Sequence, residues 1–416
     1  MTATEIPVSQ KKITSLLDRL LDLIHQQPLT KDGLGLGRSS ISLLNLYYGR
    51  FFDDEKYLEK GIRHIEEIFE NITNQESSIE TIDYYRGLIG FVLVMSHLKN
   101  HGFFDLDFEE FEEFDEAIFN WAYREINEGN IDFLAGSSGA LCYFSDRLKG
   151  GSELSETSRA TLSGYVGKLL ASIWSLVENE ETDRFFIVNR HYNKVDKRLE
   201  KEINYSLAHG MSGLLLNLLN LREQPEFEQT CDALLRPAIQ TILSLQSSKE
   251  HPEPYFFINC LDNNSGKSNY QQRIGWCYSD LNLLHVLFRA EKAYGPGFVP
   301  QSLLEAASIA VTNRKSHEHT MLDDPFLCHG YAGVAHYYLV LHQLTQKPVF
   351  KEASDYWMEH AIEFYETHDN AWFFTKEYTA TGNCLSLFYG NVGVCLCLLS
   401  AIYPESSTWS EIILIQ

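Results

Sequence analysis

The sequence predicts an all-α protein, an α/α toroid of seven helix pairs, and three observations carry that prediction. Apolar residues recur at helical spacing almost throughout the 416 residues, as in Leu58, Ile62, Ile65, Phe69 and Ile72. A short phrase also recurs, in which two small residues three apart open an apolar run. Its copies begin at Gly37, Gly87, Gly136, Gly210, Ser279, Gly330 and Gly390 and close at Ser40, Gly90, Gly139, Gly213, Asn282, Gly333 and Gly393. Finally, the copies are spaced by 50, 49, 74, 69, 51 and 60 residues. An interval of about fifty residues fits two antiparallel helices with their turns.

Each element follows from this phrase. A small residue at a helix start lets neighbouring backbone approach closely, which seven helices converging on one axis require, and a closed toroid meets that need better than an open array. The two longer intervals leave room for insertions around residues 150–205 and 245–272. Strand-like alternation is confined to Phe185 to Asn193, which places a small β excursion in the first of them. The whole chain, 1–416, reads as a single domain, and its 44% hydrophobic content supports a sizeable core.

Composition excludes several classes of function. A net charge of −23 leaves no broad surface for phosphates, so no nucleic-acid partner is expected. The longest apolar run, Val392 to Tyr403, falls short of the roughly 18 residues of a membrane span, and no basic-then-apolar leader opens the chain. The expected location is the cytoplasm. There the eight cysteines (142, 231, 260, 277, 328, 384, 395 and 397) would serve as buried thiols with a few ligands among them, and Cys395 and Cys397 read as core. Asp105 to Glu116 is densely acidic, yet Phe104, Phe108, Phe111 and Ile118 fall at helical spacing, so it reads as a solvated helix with one apolar face. Gly33 to Gly37 follows no strand and gives no nucleotide site.

The repeat also places the reactive residues. Counted from the first small residue of each copy, Cys277 and Cys328 both stand two positions before it, in copies five and six. His209 and His329 stand one before it in copies four and six, Asp132 four before in copy three, and Arg273 six before in copy five. Equivalent positions in a toroid share one end, so these residues would ring it. Taken singly, the two cysteines read as core thiols and Asp132 as a helix cap. Taken in register, Cys277, Cys328 and His329 match one zinc ion with three protein ligands and an open fourth position.

Trp276-Cys277-Tyr278, Cys328-His329-Gly330, Ala208-His209-Gly210 and Asp132 ahead of Gly136-Ser137-Ser138-Gly139 together resemble the lanthionine synthetase C-like cyclases, over nearly the whole chain. The resemblance implies an α/α toroid with a single zinc held by Cys277, Cys328 and His329, and an active-site set of Asp132, His209, Arg273 and Tyr278. It further implies a lanthipeptide cyclase that forms (methyl)lanthionine thioethers. A peptide cysteine would add to dehydroalanine or dehydrobutyrine in a dehydrated precursor supplied by a partner dehydratase, with an exporter as a further partner. A permanent cation such as Arg273 suits the developing enolate, His209 suits protonation at Cα, Asp132 would orient it or take the thiol's proton, and Tyr278 would add a hydrogen bond.

The family pattern has Gly where this chain has Ser279 and Asn282, which implies a differently shaped loop beside the zinc and a different substrate width or ring preference. Two rival readings remain open. One is a zinc thiol-binding adaptor that cyclises nothing. The other is a zinc prenyltransferase-type subunit, against which stands the lack of an Arg and Lys cluster near these motifs.

Overall fold

The computed structural model describes residues 8–105, 111–150, 153–179, 185–193, 198–245, 255–261, 268–269, 273–368 and 385–416. In chain order its helices are α1 (Val8–His25), α2 (Arg38–Phe52), α3 (Glu55–Thr73), α4 (Leu88–Asn100), α5 (Glu112–Glu128), α6 (Ser137–Leu148), α7 (Glu156–Ile173), α8 (Met211–Leu221), α9 (Glu228–Ser244), α10 (Asp280–Tyr294), α11 (Gln301–Asn313), the single turn α12 (His317–Thr320), α13 (Tyr331–Thr345), α14 (Pro348–Thr367) and α15 (Asn391–Ile402). A 3₁₀ segment, Pro404–Ile413, follows. The chain divides into two compact units, Met1–Glu80 with Leu322–Gln416, and Thr81–Met321.

The recurring phrase marks helix starts without exception. Gly37, Gly87, Gly136, Gly210, Ser279, Gly330 and Gly390 are the N-cap residues of α2, α4, α6, α8, α10, α13 and α15. These seven helices are largely apolar or small, and a helix of that kind is stable only when surrounded. Every residue of α6 and α8 is accordingly buried. In the Thr81–Met321 unit α4 packs on α6, α6 on α8 and α8 on α10; in the other unit α13 packs on α15 and α15 on α2. The helices between them are amphipathic. In α3 the buried positions are Gly61, Ile65 and Ile68, while Ile62, expected on the apolar face, is 40% exposed at its rim. The face turns this way because Gly61 lies against the Leu46 side chain of α2.

Two further expectations are modified. The β excursion is larger than Phe185 to Asn193 suggested: β1 (Val177–Asn179) pairs with β2 (Phe185–Ile187), and β3 (Asn189–Asn193), β4 (Arg198–Asn204), β5 (Cys260–Leu261) and β6 (Ser268–Asn269) form a four-stranded antiparallel sheet in that order. Val188 separates β2 from β3 by donating to the Leu176 carbonyl instead of continuing one ladder. Of the acidic stretch, Glu112 to Glu116 lie in α5, with Phe111 and Ile118 buried as expected, while Phe104 and Asp105 stand outside any helix, and Asp115 shares the buried face. Its carboxylate meets the Arg147 guanidinium at 2.8 Å and accepts the Tyr143 hydroxyl, so the acidic face is not wholly solvated. Phe108 of that expectation and Cys384 lie outside the described residues, as do parts of both insertions. Cys395 and Cys397 are fully buried, and burial pushes the Cys397 thiol well up, as suits core residues. Among the described residues no helix is long and apolar enough to cross a membrane.

Candidate active site

Within each unit, segments that lead into these helices are joined by backbone hydrogen bonds at the very position where the cysteines stand. Two residues before the first small residue, Tyr85 donates its N–H to the Leu134 carbonyl, Ala208 to Cys277, and Cys328 to Phe388. Leu134, Cys277 and Phe388 hold the same place in the copies that follow. Phe133 likewise donates to the Ala208 carbonyl at 2.9 Å. In the Thr81–Met321 unit this ladder brings the leading segments of copies three, four and five side by side, and with them Asp132, His209 and the Cys277–Tyr278 pair.

Why these segments bend as they do is written in their side chains. Asn130, Asn204 and Asp324 stand six residues before the first glycine of copies three, four and six, and each accepts the N–H two residues ahead, at 3.2, 2.8 and 2.8 Å. This is the local turn that Asn and Asp favour. The same side-chain oxygen lies so close to Gly136, Gly210 or Gly330 that a Cβ there would fall inside 3.0 Å of it. The Asx residue and the glycine are therefore one device.

His209 Nδ1 lies 2.6 Å from Asp132 Oδ2. An ionised carboxylate only accepts, so Nδ1 carries the proton and Nε2 is left for other partners. Asp132 also accepts the N–H groups of Leu134 and Ala135 through Oδ1, so the residue is both a turn cap and the partner of His209. Burial alone would lower the His209 pKa. The hydrogen bond and charge of Asp132 outweigh it, with Cys277 and Glu202 adding to them, and the value stands above the ordinary one. The Tyr278 ring lies 5.2 Å from that of His209. Burial first, then the charges of Cys277, Glu202 and Asp132, push its phenol up, so it stays a proton donor. Cys277 is 7% exposed. Arg273, four residues before it, is partly exposed, and among the described residues its guanidinium makes no ion pair.

In the other unit, Cys328 and His329 are both buried. The Cys328 sulfur lies 3.6 Å from the Tyr389 hydroxyl, and the His329 ring 5.7 Å from that of Tyr389. Asp324 Oδ2 faces His329 Nδ1 at 3.5 Å. A thiol and an imidazole facing a carboxylate are donor types that suit zinc.

The structure thus joins His209, Asp132 and Tyr278 through their side chains, and ties Cys277 to their segment through the backbone. It makes no such link to Arg273. Four residues escaped the sequence reading: Asp324, Tyr389, Asn204 and Glu202. Two left a signal. Tyr389 holds the position of His209, Tyr278 and His329, one before the first small residue, and Asn204 and Asp324 share a position with Asn130.

The lanthionine synthetase C-like protein family matches residues 28–414. No curated protein sequence matches the chain. Among solved structures, nisin cyclase superposes with a TM-score of 0.70 at 15% identity, over 98% of this chain and 97% of its own. At that identity the likeness shows the fold, and it is the α/α toroid expected from the repeat. With the family pattern running through nearly every residue, the chain belongs to the lanthionine synthetase C-like protein family.

Proposed function

We propose that the chain is a zinc-dependent lanthipeptide cyclase. It would add peptide cysteine thiols to dehydroalanine or dehydrobutyrine in a dehydrated precursor, with Cys277, Cys328 and His329 as the zinc ligands. The observation that carries the reading is the 2.6 Å His209–Asp132 pair, stacked near Tyr278, on a segment bonded to that of Cys277. Family membership and the likeness to nisin cyclase support a cyclase, and the family is generally zinc-binding. Because the family match spans both compact units, we treat 1–416 as one working domain. We place it in the cytoplasm beside a dehydratase and an exporter; the seven described cysteines are all free thiols, which suits a reducing compartment.

When bound, zinc lowers the pKa of a coordinated thiol, so that the substrate cysteine is a nucleophile at neutral pH. The chain's own groups then manage one proton and one developing charge. As the carbon–sulfur bond forms at the β-carbon, the electron pair of the carbon–carbon double bond moves toward the neighbouring carbonyl. Arg273 and the Tyr278 hydroxyl are suited to stabilise it there. His209, protonated at Nδ1 against Asp132 and holding its pKa above the ordinary value, delivers a proton from Nε2 to Cα. The thiol's proton leaves through Asp132 and solvent. The product has the mass of the reactant.

The decisive experiment incubates the purified, zinc-loaded protein with a dehydrated precursor peptide. Alkylatable thiols should disappear without change of mass. If one equivalent of zinc is bound and every thiol stays free, the chain is a thiol-binding adaptor and not a cyclase. A companion pair of variants tests the residues: Cys277→Ala should lose zinc and turnover together, and His209→Ala should keep zinc and lose turnover. Full zinc in Cys277→Ala would remove that residue from the ligand set.

A further inference from the structure

Copy five departs from the other copies at three places, and the structure shows that they are linked. Arg273 occupies the position where copies three, four and six have the turn-forming Asn or Asp. Ser279 stands in place of the first glycine. It caps α10 itself, accepting the Leu281 N–H at 2.8 Å, and with Asn282 it completes a capping box.

The third departure changes the spacing of the backbone. In copies three, four, six and seven, a Cβ on Gly139, Gly213, Gly333 or Gly393 would fall inside 3.0 Å of the carbonyl oxygen six residues earlier, on Phe133, Leu207, Leu327 or Leu387. The leading segment lies directly on the helix. In copy five the same place belongs to Asn282, and the carbonyl six residues earlier is that of Trp276. Asn282 Nδ2 donates to it at 3.0 Å. The Trp276–Ser279 segment is thus held off α10 by the thickness of an amide.

The other end of that amide reaches across two segments. Asn282 Oδ1 accepts the Ser279 N–H at 3.0 Å and the Leu207 N–H at 3.2 Å. Leu207 lies two residues before His209, and Trp276 one before Cys277. A single side chain, 0% exposed, therefore clamps the segment that carries Cys277 and Tyr278 to the segment that carries His209.

We propose that Asn282 is a positioning residue of the active site: as both spacer and clamp, it sets how far Cys277 and Tyr278 stand from α10 and from His209. Its role in turnover rests on the cyclase reading above, but its effect on the position of Cys277 does not.

Two variants separate spacer from clamp. Asn282→Ala keeps a Cβ, so the segment cannot sink, but loses the hydrogen bonds that hold it. Asn282→Gly removes the spacer as well and lets the segment settle onto α10, as in the other copies. In metal-free protein, the alkylation rate of Cys277 by iodoacetamide, followed by peptide mass spectrometry, should rise about fivefold or more in Asn282→Ala and fall in Asn282→Gly. Cys231, buried in α9, is the internal control and should stay unreactive. The double variant Ser279→Gly with Asn282→Gly, which restores the phrase of the other copies, should match Asn282→Gly. With zinc and a dehydrated peptide, both single variants should lower kcat about tenfold or more while KM moves less than about threefold. Cys277 rates within about twofold of the original in both single variants would overturn the proposal. So would Cys277 and Cys231 becoming reactive in parallel in all three, since Asn282 would then act on the fold alone. A wild-type protein without cyclase activity would overturn the cyclase reading and leave the alkylation result standing.

Discussion

His336 in α13 is a histidine that folding forces to stay neutral. It is fully buried, its ring stacks on Trp409 with centroids 4.7 Å apart, and neither ring nitrogen has a hydrogen-bond partner. Burial alone accounts for the shift and lowers its pKa from 6.5 to about 3. The folded value lies below the unfolded one, so the unfolded chain binds the proton first. Stability is fully present above pH 6.5 and is lost as pH falls from there toward 3. The slope is about 1.4 kcal/mol per pH unit, so pH 5 should cost the fold about 2 kcal/mol through this one residue. Thermal unfolding of the wild type and of His336→Phe, each at pH 7.5 and pH 5, isolates it. The aromatic replacement keeps the stacked ring and has nothing to titrate. The wild-type midpoint should fall by several degrees more than that of the variant over the same interval, while other acid-sensitive groups cancel. Equal falls would show that a proton reaches the ring in the folded state, and the buried, unpartnered description of His336 would be wrong.

Other perturbations are aimed at the site and its supports. Asp132→Asn keeps the turn cap but removes the charge beside His209, and should lower turnover of a dehydrated peptide by about 10- to 1000-fold with zinc content unchanged. Asp324→Asn, which takes the carboxylate from behind His329, should weaken zinc binding by about 10- to 100-fold in a chelator competition. Arg147→Met, far from any of this chemistry, leaves Asp115 buried without its partner and should destabilise the Thr81–Met321 unit by about 3–5 kcal/mol in denaturant unfolding.

The architecture was legible because its physical demand repeats. Where a segment must lie against a helix start, only small residues fit, and seven such places printed the same phrase into the chain. The shared position of Cys277 and Cys328 was legible for the same reason: it is where leading segments bond to one another, as Ala208 does to Cys277 and Cys328 to Phe388. What stayed hidden depended on partners that no local pattern reveals. Asp115 sits in a run of acidic residues, and only the approach of Arg147 and Tyr143 from α6 makes it a buried one. Asp132, read singly as a helix cap, is not one, since Gly136 holds that place; one of its oxygens caps the turn at Leu134 and Ala135 and the other faces His209. Tyr389 went unread although it holds the position of His209 and His329, because its phenol is not among the usual zinc-ligand groups.

Copy five shows how a repeat is rebuilt for chemistry. In copy five both the Asn or Asp six residues ahead and the glycine it presses against in copies three, four and six are exchanged. Exchanging that pair for Arg273 and Ser279 keeps the helix capped and turns a structural position into one that carries a cation four residues from Cys277. The exchange also removes a tether, because the Asx turn no longer stiffens the segment. Asn282 replaces it from the other side, bonding Trp276, Ser279 and Leu207 at once. Ser279 and Asn282, which read from sequence as a differently shaped loop, fasten that segment to α10 and to Leu207.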